Sequence, residues 1–364
     1  MASKFGLKGV SMNRSVTSIV LLLLIVVTCC SFSGCKKKKG GDEVSTMPIQ
    51  TERRAAFDIG SGTMKLRVSD VIVTKDHLET ALEVTGGYER IRVDFEADLH
   101  DSKDGRFSHT IMEKGIKTLK ELKKRAVQAG AKVFAGVATR AFRTAKNGEE
   151  YLRRLEEETG IRLQIASAAE EARMGFLAAV DSGDFSPKNL VVWDIGGGGS
   201  SLTMQTEDGE FVYYFGELAS VVLRDTIIRT IQNKPKSVKT PNPISHSEVR
   251  AALDIVRGEA VGVPLKLRRK LADPNTKIVG IGPVHFHSVR GQVKAEEMYS
   301  RLDVATKLKE RTGMTDKEIG DPWADTEVVN LILVLGFLEA LDIEELEAMN
   351  VNVADGLLVD PNYW

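Results

Sequence analysis

Cysteine is nearly absent from this chain of 364 residues, and the position of the few cysteines matters as much as their number. Cys29, Cys30 and Cys35 all lie close to the N-terminus. The chain beyond residue 35 therefore has no disulfide, no cysteine-ligated metal and no cysteine nucleophile.

An excess of charge of either sign is also missing, because 50 lysines and arginines balance 51 acidic residues to a net charge of −1. A protein that binds duplex nucleic acid broadly needs a basic face, so this composition argues against duplex nucleic acid as a partner. The composition is still compatible with a basic channel in one part of the surface. The length and the 42% apolar content favour two or three folded domains.

Long hydrophobic runs are missing after residue 35, and the run at residues 18–30 is short of the roughly 20 residues that span a bilayer. It follows a basic start, which is typical of a signal peptide. The run leads into Phe-Ser-Gly-Cys35, which resembles a bacterial lipoprotein cleavage box. We therefore expect a signal peptide over residues 1–35, lipidation at Cys35, a flexible tether over residues 36–52 and a domain anchored to a membrane outside the cytoplasm. The alternative is an uncleaved anchor held by the lysines after Cys35.

Glycine is concentrated where two apolar runs end. The run Leu190–Ile195 carries Asp194 near its end and leads directly into Gly196–Gly199. This pattern predicts a buried strand followed by a tight turn. Glycine allows a positive φ and lets backbone N–H groups approach a ligand closely, and successive N–H groups form a concavity suited to phosphate.

A similar pattern occurs about one domain's length earlier. Ala55–Ile59 carries Asp58 near its end and is followed by Gly60-Ser61-Gly62-Thr63. A single glycine cluster has a simple alternative, namely a β-turn that binds nothing. Two clusters of the same form predict two related halves that face each other across a phosphate-binding cleft.

The order of the predicted elements is the same in both halves, with strands first and helices alternating with strands afterwards. This order indicates an α/β fold, with domains over residues 53–187 and 188–364. Residues 349–359 are predicted to be the strand that closes the second sheet. His285 and His287 are predicted to be loop residues rather than metal ligands.

Five short motifs in this order resemble the Ppx/GppA family of exopolyphosphatases and guanosine pentaphosphate phosphohydrolases. The family belongs to the actin/hexokinase/Hsp70-like fold, so the resemblance implies two duplicated ribonuclease-H-like domains with a cleft between them. The motifs are Asp58-Ile-Gly-Ser-Gly-Thr63, Ala138-Thr-Arg-Ala-Phe-Arg-Thr-Ala-Lys-Asn147, Glu170-Glu-Ala-Arg173, Asp194-Ile-Gly-Gly-Gly-Gly-Ser-Ser201 and Ala354-Asp-Gly-Leu357.

The resemblance also implies roles for individual residues. Glu171 matches the glutamate that activates water, and Asp194 stands where a divalent cation such as Mg²⁺ would be held. The implied substrate is polyphosphate or a phosphorylated guanosine nucleotide, and a homodimer is left open. The residues expected to bind phosphate are Asp58, Gly60, Ser61, Gly62, Thr63, Arg143, Gly196, Gly197, Gly198 and Ser200.

The chain departs from the family pattern at several positions. Ser201 stands where the family has a second important glutamate, Pro283 removes an N–H donor from the third glycine loop, and Gly62 replaces an asparagine. We therefore expect either a phosphoanhydride hydrolase or a relative that binds polyphosphate or a nucleotide without cleaving it. A kinase or Hsp70-like ATPase on the same fold is a third interpretation, which the Glu170–Arg173 motif disfavours.

Overall fold

The computed structural model describes residues 50–74, 78–84 and 89–364. The predicted signal peptide, Cys35 and residues 36–49 of the predicted tether lie outside these residues. The first strand begins at Gln50, so it includes three residues that the sequence assigned to the tether. Within the described residues no helix combines the length and apolarity needed to cross a bilayer.

The described part of the first half forms a six-stranded sheet with the order β3-β2-β1-β5-β6, in which β4 pairs with β2. Strands β1, β5 and β6 run parallel, whereas β3 and β4 are antiparallel to β2. The strands are β1 Gln50–Ile59, β2 Thr63–Val73, β3 Leu78–Glu83, β4 Glu89–Arg92, β5 Val133–Ala138 and β6 Arg162–Ile165.

The helices of this half follow its strands and cover the sheet. Aromatic side chains of these helices and the loops beside them pack together, with Phe95, Phe107, Phe142 and Tyr151 in mutual ring contact. The helices are α1 Phe95–Asp101, α2 His109–Gln128, α3 Arg140–Thr144, α4 Gly148–Thr159 and α5 Ala168–Ser182.

The second half forms another six-stranded sheet, with the order β11-β12-β10-β7-β8-β9. Strands β7, β10 and β12 are parallel, and β8 and β9 are antiparallel to the strands beside them. The strands are β7 Leu190–Ile195, β8 Ser200–Gln205, β9 Phe211–Gly216, β10 Lys277–Ile281, β11 Met298–Ser300 and β12 Glu345–Ala348. Each half thus joins an antiparallel hairpin to three parallel strands, which confirms the predicted duplicated α/β fold.

The helices of the second half include the apolar α12, which is buried along most of its length in the largest core. Two π-helical segments, Ile227–Ile231 and Val284–Val289, interrupt the regular helices. The helices are α6 Ser220–Thr226, α7 His246–Ala260, α8 Leu265–Leu271, α9 Arg290–Val293, α10 Arg301–Arg311, α11 Asp316–Ile319, α12 Ala324–Ala340 and α13 Val353–Val359.

Two helices lie between the sheets, and they position the candidate site. Phe176 of α5 packs with Val192 and Ile281 of the second sheet, while Leu357 of α13 packs with Ala56 of the first. Each of these helices therefore contacts the sheet of the other half. They also touch closely, because a Cβ on Gly356 would lie 1.8 Å from the Met174 carbonyl oxygen of α5.

Two sequence predictions are wrong in this half. Residues 349–359 do not close the sheet, because β12 ends at Ala348 and Val353–Val359 is helix α13. Asn352 caps this helix by accepting from the N–H of Ala354, and the Asp355 carboxylate accepts a hydrogen bond from the Asn352 N–H.

The second wrong prediction concerns His285 and His287, which lie in the π-helical segment and not in a loop. His285 is fully buried, and its Nδ1 is 2.6 Å from the Tyr299 hydroxyl. Burial lowers the pKa of this imidazole to about 3, so it is a neutral member of the core at ordinary pH.

Candidate active site

The two Asp-Ile-Gly sequences form the same backbone turn. The N–H of Gly60 donates to the Thr63 carbonyl oxygen, and the N–H of Gly196 donates to that of Gly199, in both cases over 3.0 Å. Each aspartate lies at the end of the strand that precedes its turn, at Asp58 in β1 and Asp194 in β7. Asp58 and Asp194 influence each other electrostatically, so the two strand ends face a common space.

The helix after each hairpin holds its turn through carbonyl groups. Gly62 O accepts from the N–H of Asp94 just before α1, and Gly197 O accepts from Val221 N–H in α6 over 2.9 Å. In the part of the chain that the structure describes, the N–H groups of Ser61, Gly62, Gly197 and Gly198 have no hydrogen-bond partner. These donors are therefore available to an anion.

The glycines of the two turns do not have the backbone conformation that the sequence suggested. None of Gly60, Gly62 and Gly196–Gly199 has a positive φ. Glycine at these positions allows the backbone to come close to other groups, and it is not needed for a left-handed turn. The third loop differs, because Gly282 after β10 has a φ of +83°, and a Cβ there would lie 2.3 Å from Oδ1 of Asp194.

Asp58 is almost completely buried and carries an ion pair. Its Oδ2 accepts a 2.6 Å hydrogen bond from Lys65 Nζ, on the neighbouring strand β2. Its Oδ1 is buried and has no hydrogen-bond partner among the described residues. A buried carboxylate oxygen without a partner is costly unless another group binds it, so Oδ1 of Asp58 can accept one further partner.

Asp194 has a different electrostatic environment. Burial raises the pKa of its carboxyl to about 6, Lys65 opposes this rise, and the charge of Asp58 adds to it. Directly opposite Asp194 on β8 lies Ser201. A carboxyl with this pKa changes its charge close to neutral pH, which is typical of functional sites.

Glu171 lies in the first turn of α5, which a capping box of Ser167 and Glu170 fixes in place. Its Oε2 accepts a 2.9 Å hydrogen bond from Arg143, which also donates to the Ala166 carbonyl oxygen. Burial raises the pKa of Glu171, Arg143 opposes the rise, and the charges of Asp58 and Asp194 contribute to it. The structure thus brings Glu171 into electrostatic range of both aspartates.

The other phosphate-binding candidates have varied surroundings. Thr63 begins β2, and its carbonyl closes the first turn. Arg143 is committed to Glu171, with both side chains about one-third exposed or less. The hydroxyl of Ser200 is buried and donates to the Leu218 carbonyl oxygen over 3.0 Å, so it already has a partner.

Sequence reasoning missed Arg140. This residue begins α3, and a Cβ built on Gly198 would lie 2.8 Å from its Nη1. The guanidinium group therefore lies against the second glycine turn although its backbone belongs to the first half. The motif of residues 138–147 includes Arg140, but only the fold shows that its side chain reaches the other half.

The remaining motif residues have structural partners. Arg173 forms an ion pair with the fully buried Asp360, and Arg67 donates to Asp355 over 2.6 Å. These contacts tie α13 to α5 and β2. The motif that contains Glu171 thus places a candidate catalytic group and holds its helix at the same time.

Two α/β halves with paired Asp-Ile-Gly turns at their strand ends are the arrangement of the actin-like fold class. Over residues 89–212 the chain matches the sequence model of the Ppx/GppA phosphatase family. The family that the motifs indicated is therefore confirmed.

Relatives with curated descriptions point the same way. Exopolyphosphatase 1 of Mycobacterium leprae is 31% identical over 151 residues, which is 42% of this chain and 42% of that protein. Exopolyphosphatase 1 of Mycobacterium tuberculosis is 30% identical over 156 residues, 43% of each chain. The chain thus matches less than half the length of these relatives.

Solved structures show the fold over a longer part of the chain. A Ppx/GppA enzyme of Aquifex aeolicus superposes with a TM-score of 0.67 at 20% identity, covering 85% of this chain and 99% of that one. An exopolyphosphatase of Cytophaga hutchinsonii gives 0.61 at 16% identity, covering 84% and 96%.

Proposed function

We propose that the protein is a phosphoanhydride hydrolase that releases the terminal phosphate of polyphosphate or of guanosine pentaphosphate. The observation that carries this proposal is the position of Glu171, a carboxylate whose raised pKa includes electrostatic contributions from both Asp58 and Asp194. Family membership and the names of the relatives support the same reaction class.

The reaction needs donors for the phosphoryl oxygens and a group that orients water. The N–H groups of Ser61, Gly62, Gly197 and Gly198 would hold the terminal phosphate. Glu171 would accept a proton from water as the water oxygen forms a bond to phosphorus. The phosphoanhydride bond then breaks, and the shortened chain leaves with the electron pair of its bridging oxygen.

A general base acts best when its pKa is close to the working pH, and burial shifts the pKa of Glu171 upward, in the direction of that pH. Arg143 would orient the carboxylate through its 2.9 Å hydrogen bond. The second hydrogen bond of Arg143, to the Ala166 carbonyl oxygen, holds the guanidinium group in place. Glu171 would therefore approach the water from a fixed direction.

A divalent cation fits the carboxylates only together with substrate. Within the described residues no three His, Cys, Asp or Glu side chains are grouped to hold a metal by themselves. Mg²⁺ usually takes one or two carboxylates and completes its shell with water and phosphate oxygens. Asp194 and the unpartnered Oδ1 of Asp58 would supply those carboxylates, and the bound cation would neutralise charge on the phosphates.

The test is phosphate release from long-chain polyphosphate and from guanosine pentaphosphate by the purified full-length protein, with and without Mg²⁺. Release of single phosphates from the end of the chain, seen only when the protein is present, supports the hydrolase. Tight binding of either compound without release favours the second candidate, a polyphosphate- or nucleotide-binding protein. Ser201, in place of the family glutamate beside Asp194, is the observation that favours this second candidate.

We also propose that Cys35 carries a lipid that anchors the protein to a membrane outside the cytoplasm. The proposal is supported by the sequence before Cys35. Two acyl chains on one residue are enough for stable anchoring, whereas one is marginal. Metabolic labelling with palmitate should be lost in Cys35→Ser, and absence of label in the native protein would contradict the anchor.

A further inference from the structure

Arg140 reaches from the first half of the chain to the second glycine turn. It follows β5, which pairs with β1 beside Asp58, and the Thr139 N–H donates to the Ile59 carbonyl oxygen. Its guanidinium group ends at the other turn, where added Cβ atoms would lie 2.8 Å from it at Gly198 and 3.5 Å at Gly199.

A side chain at residue 198 would meet this guanidinium group. Its φ is not positive, so its backbone conformation is open to other residues. The three atoms nearest to a Cβ at Gly198 all belong to the Arg140 side chain. The missing side chain therefore makes room for the guanidinium group.

The charge of Arg140 is not used by a neighbouring carboxylate. Arg143, three positions along α3, is bonded to Glu171, but Arg140 has no ion pair among the described residues. Its guanidinium lies against Gly198 and Gly199. In the same turn the N–H groups of Gly197 and Gly198 also lack partners among the described residues. A planar guanidinium next to backbone donors is suited to bind phosphate oxygens in pairs.

We propose that Arg140 binds the phosphoryl group held by the second glycine turn, so that one phosphate joins the two halves of the molecule. This inference rests on the proposed function and identifies a ligand-binding residue for it. The guanidinium donates to non-bridging oxygens of the terminal phosphoryl group and balances their charge during transfer.

The experiment measures tripolyphosphate binding by titration calorimetry, with full-length protein in EDTA to stop metal-assisted turnover. Arg140→Gln should weaken binding by about 10- to 100-fold, the range of a charged hydrogen bond to an anion. Arg140→Lys should recover only part of the loss, because an ammonium group lacks the paired donors. Arg250→Gln, at an exposed position in α7, is the charge-matched control and should bind as the native protein does.

Gly198→Ala tests the position of the side chain without changing any charge. Its Cβ would move the end of the Arg140 side chain from its position in the structure, so tripolyphosphate binding should fall, but by no more than in Arg140→Gln. Adding Gly198→Ala to Arg140→Gln should then cost little more, because the two changes remove the same interaction. Gly197→Ala is the matched control, since its Cβ would meet only Val221 at 3.6 Å, and its effect should add to that of Arg140→Gln.

The outcomes separate this inference from the proposed function. Native binding by Arg140→Gln, or additive effects of Arg140→Gln and Gly198→Ala, would overturn the role of Arg140 whether or not the protein hydrolyses polyphosphate. A protein that binds tripolyphosphate through Arg140 but releases no phosphate from any substrate would keep the inference and remove the hydrolase. Absence of tripolyphosphate binding by the native protein in EDTA would overturn the inference about Arg140, and phosphate release in the presence of Mg²⁺ would still decide for or against the hydrolase.

Discussion

The two glycine turns share a backbone but differ in charge. Each closes with an N–H to carbonyl hydrogen bond of 3.0 Å and each follows a strand that carries an aspartate. Asp58 has a lysine within 2.6 Å, whereas burial raises the pKa of Asp194 to about 6. Duplication of the fold thus supplies equal donors on both sides, and the side chains around them give the two sides different chemistry.

Among the described residues, the cations that lie at the two glycine turns belong to the first half. Lys65 on β2 pairs with Asp58, and Arg140 on α3 lies against the turn after Asp194. The second half contributes a carboxyl group that titrates near neutral pH. Substitutions that remove or crowd these charged groups should therefore have different effects at the first glycine turn, beside Asp58, and at the second, beside Asp194.

The largest effect is expected when Asp58, beside the first glycine turn, loses its ion-pair partner Lys65. Lys65→Met leaves the buried carboxylate of Asp58 without its ion-pair partner, which should lower the free energy of unfolding by about 3 kcal/mol. Lys117→Met removes a charge from an exposed position of α2 and should have little effect. Urea unfolding of both variants measures the difference. Equal stability of the two variants would show that the Asp58 side does not depend on its lysine.

The second largest effect is expected at the group between the two sides. Glu171→Gln keeps the shape of the side chain but cannot accept a proton, so turnover should fall by about 100-fold or more with substrate binding nearly unchanged. Glu157→Gln, on the exposed face of α4, should keep native turnover. Steady-state phosphate release gives both numbers. An unchanged turnover number for Glu171→Gln would remove the residue from the mechanism.

A smaller effect is expected from crowding the second side. Gly282→Ala requires a left-handed backbone in a residue with a Cβ, and that Cβ would lie 2.3 Å from Asp194 Oδ1. Gly313 has nearly the same φ, +84°, with no atom within 4 Å of its Cβ position. Both substitutions should cost about 1–2 kcal/mol for the backbone. Gly282→Ala alone should add a further loss of stability and of phosphate release, and identical behaviour of the two variants would contradict the contact with Asp194.

The sequence predicted those parts of the site that depend on local pattern. Asp58 and Asp194 could be placed at strand ends because an apolar run followed by glycines indicates where a strand ends. Glu171 was found through its motif. Helix α13 was missed because Val353–Val359 is largely apolar, although Asn352 and Asp355 have the spacing of a capping box. Arg140 could not be placed from local pattern, since its contact with Gly198 exists only when the two halves face each other.

The smallest expected effect concerns the titration of Asp194. Its carboxyl has an ordinary pKa of 3.8 and a pKa of about 6 in the folded protein. Between these values a folded Asp194 binds more protons than an unfolded one, so its contribution to the free energy of unfolding should fall as the pH rises from 3.8 to about 6 and level off above. Asp194→Asn removes this titration, so its stability relative to the native protein should increase across the same window. Asp184→Asn, at an exposed position, should show no such trend. Urea unfolding at a series of pH values measures both, and parallel curves for native protein and Asp194→Asn would contradict a raised pKa of Asp194 in the folded protein.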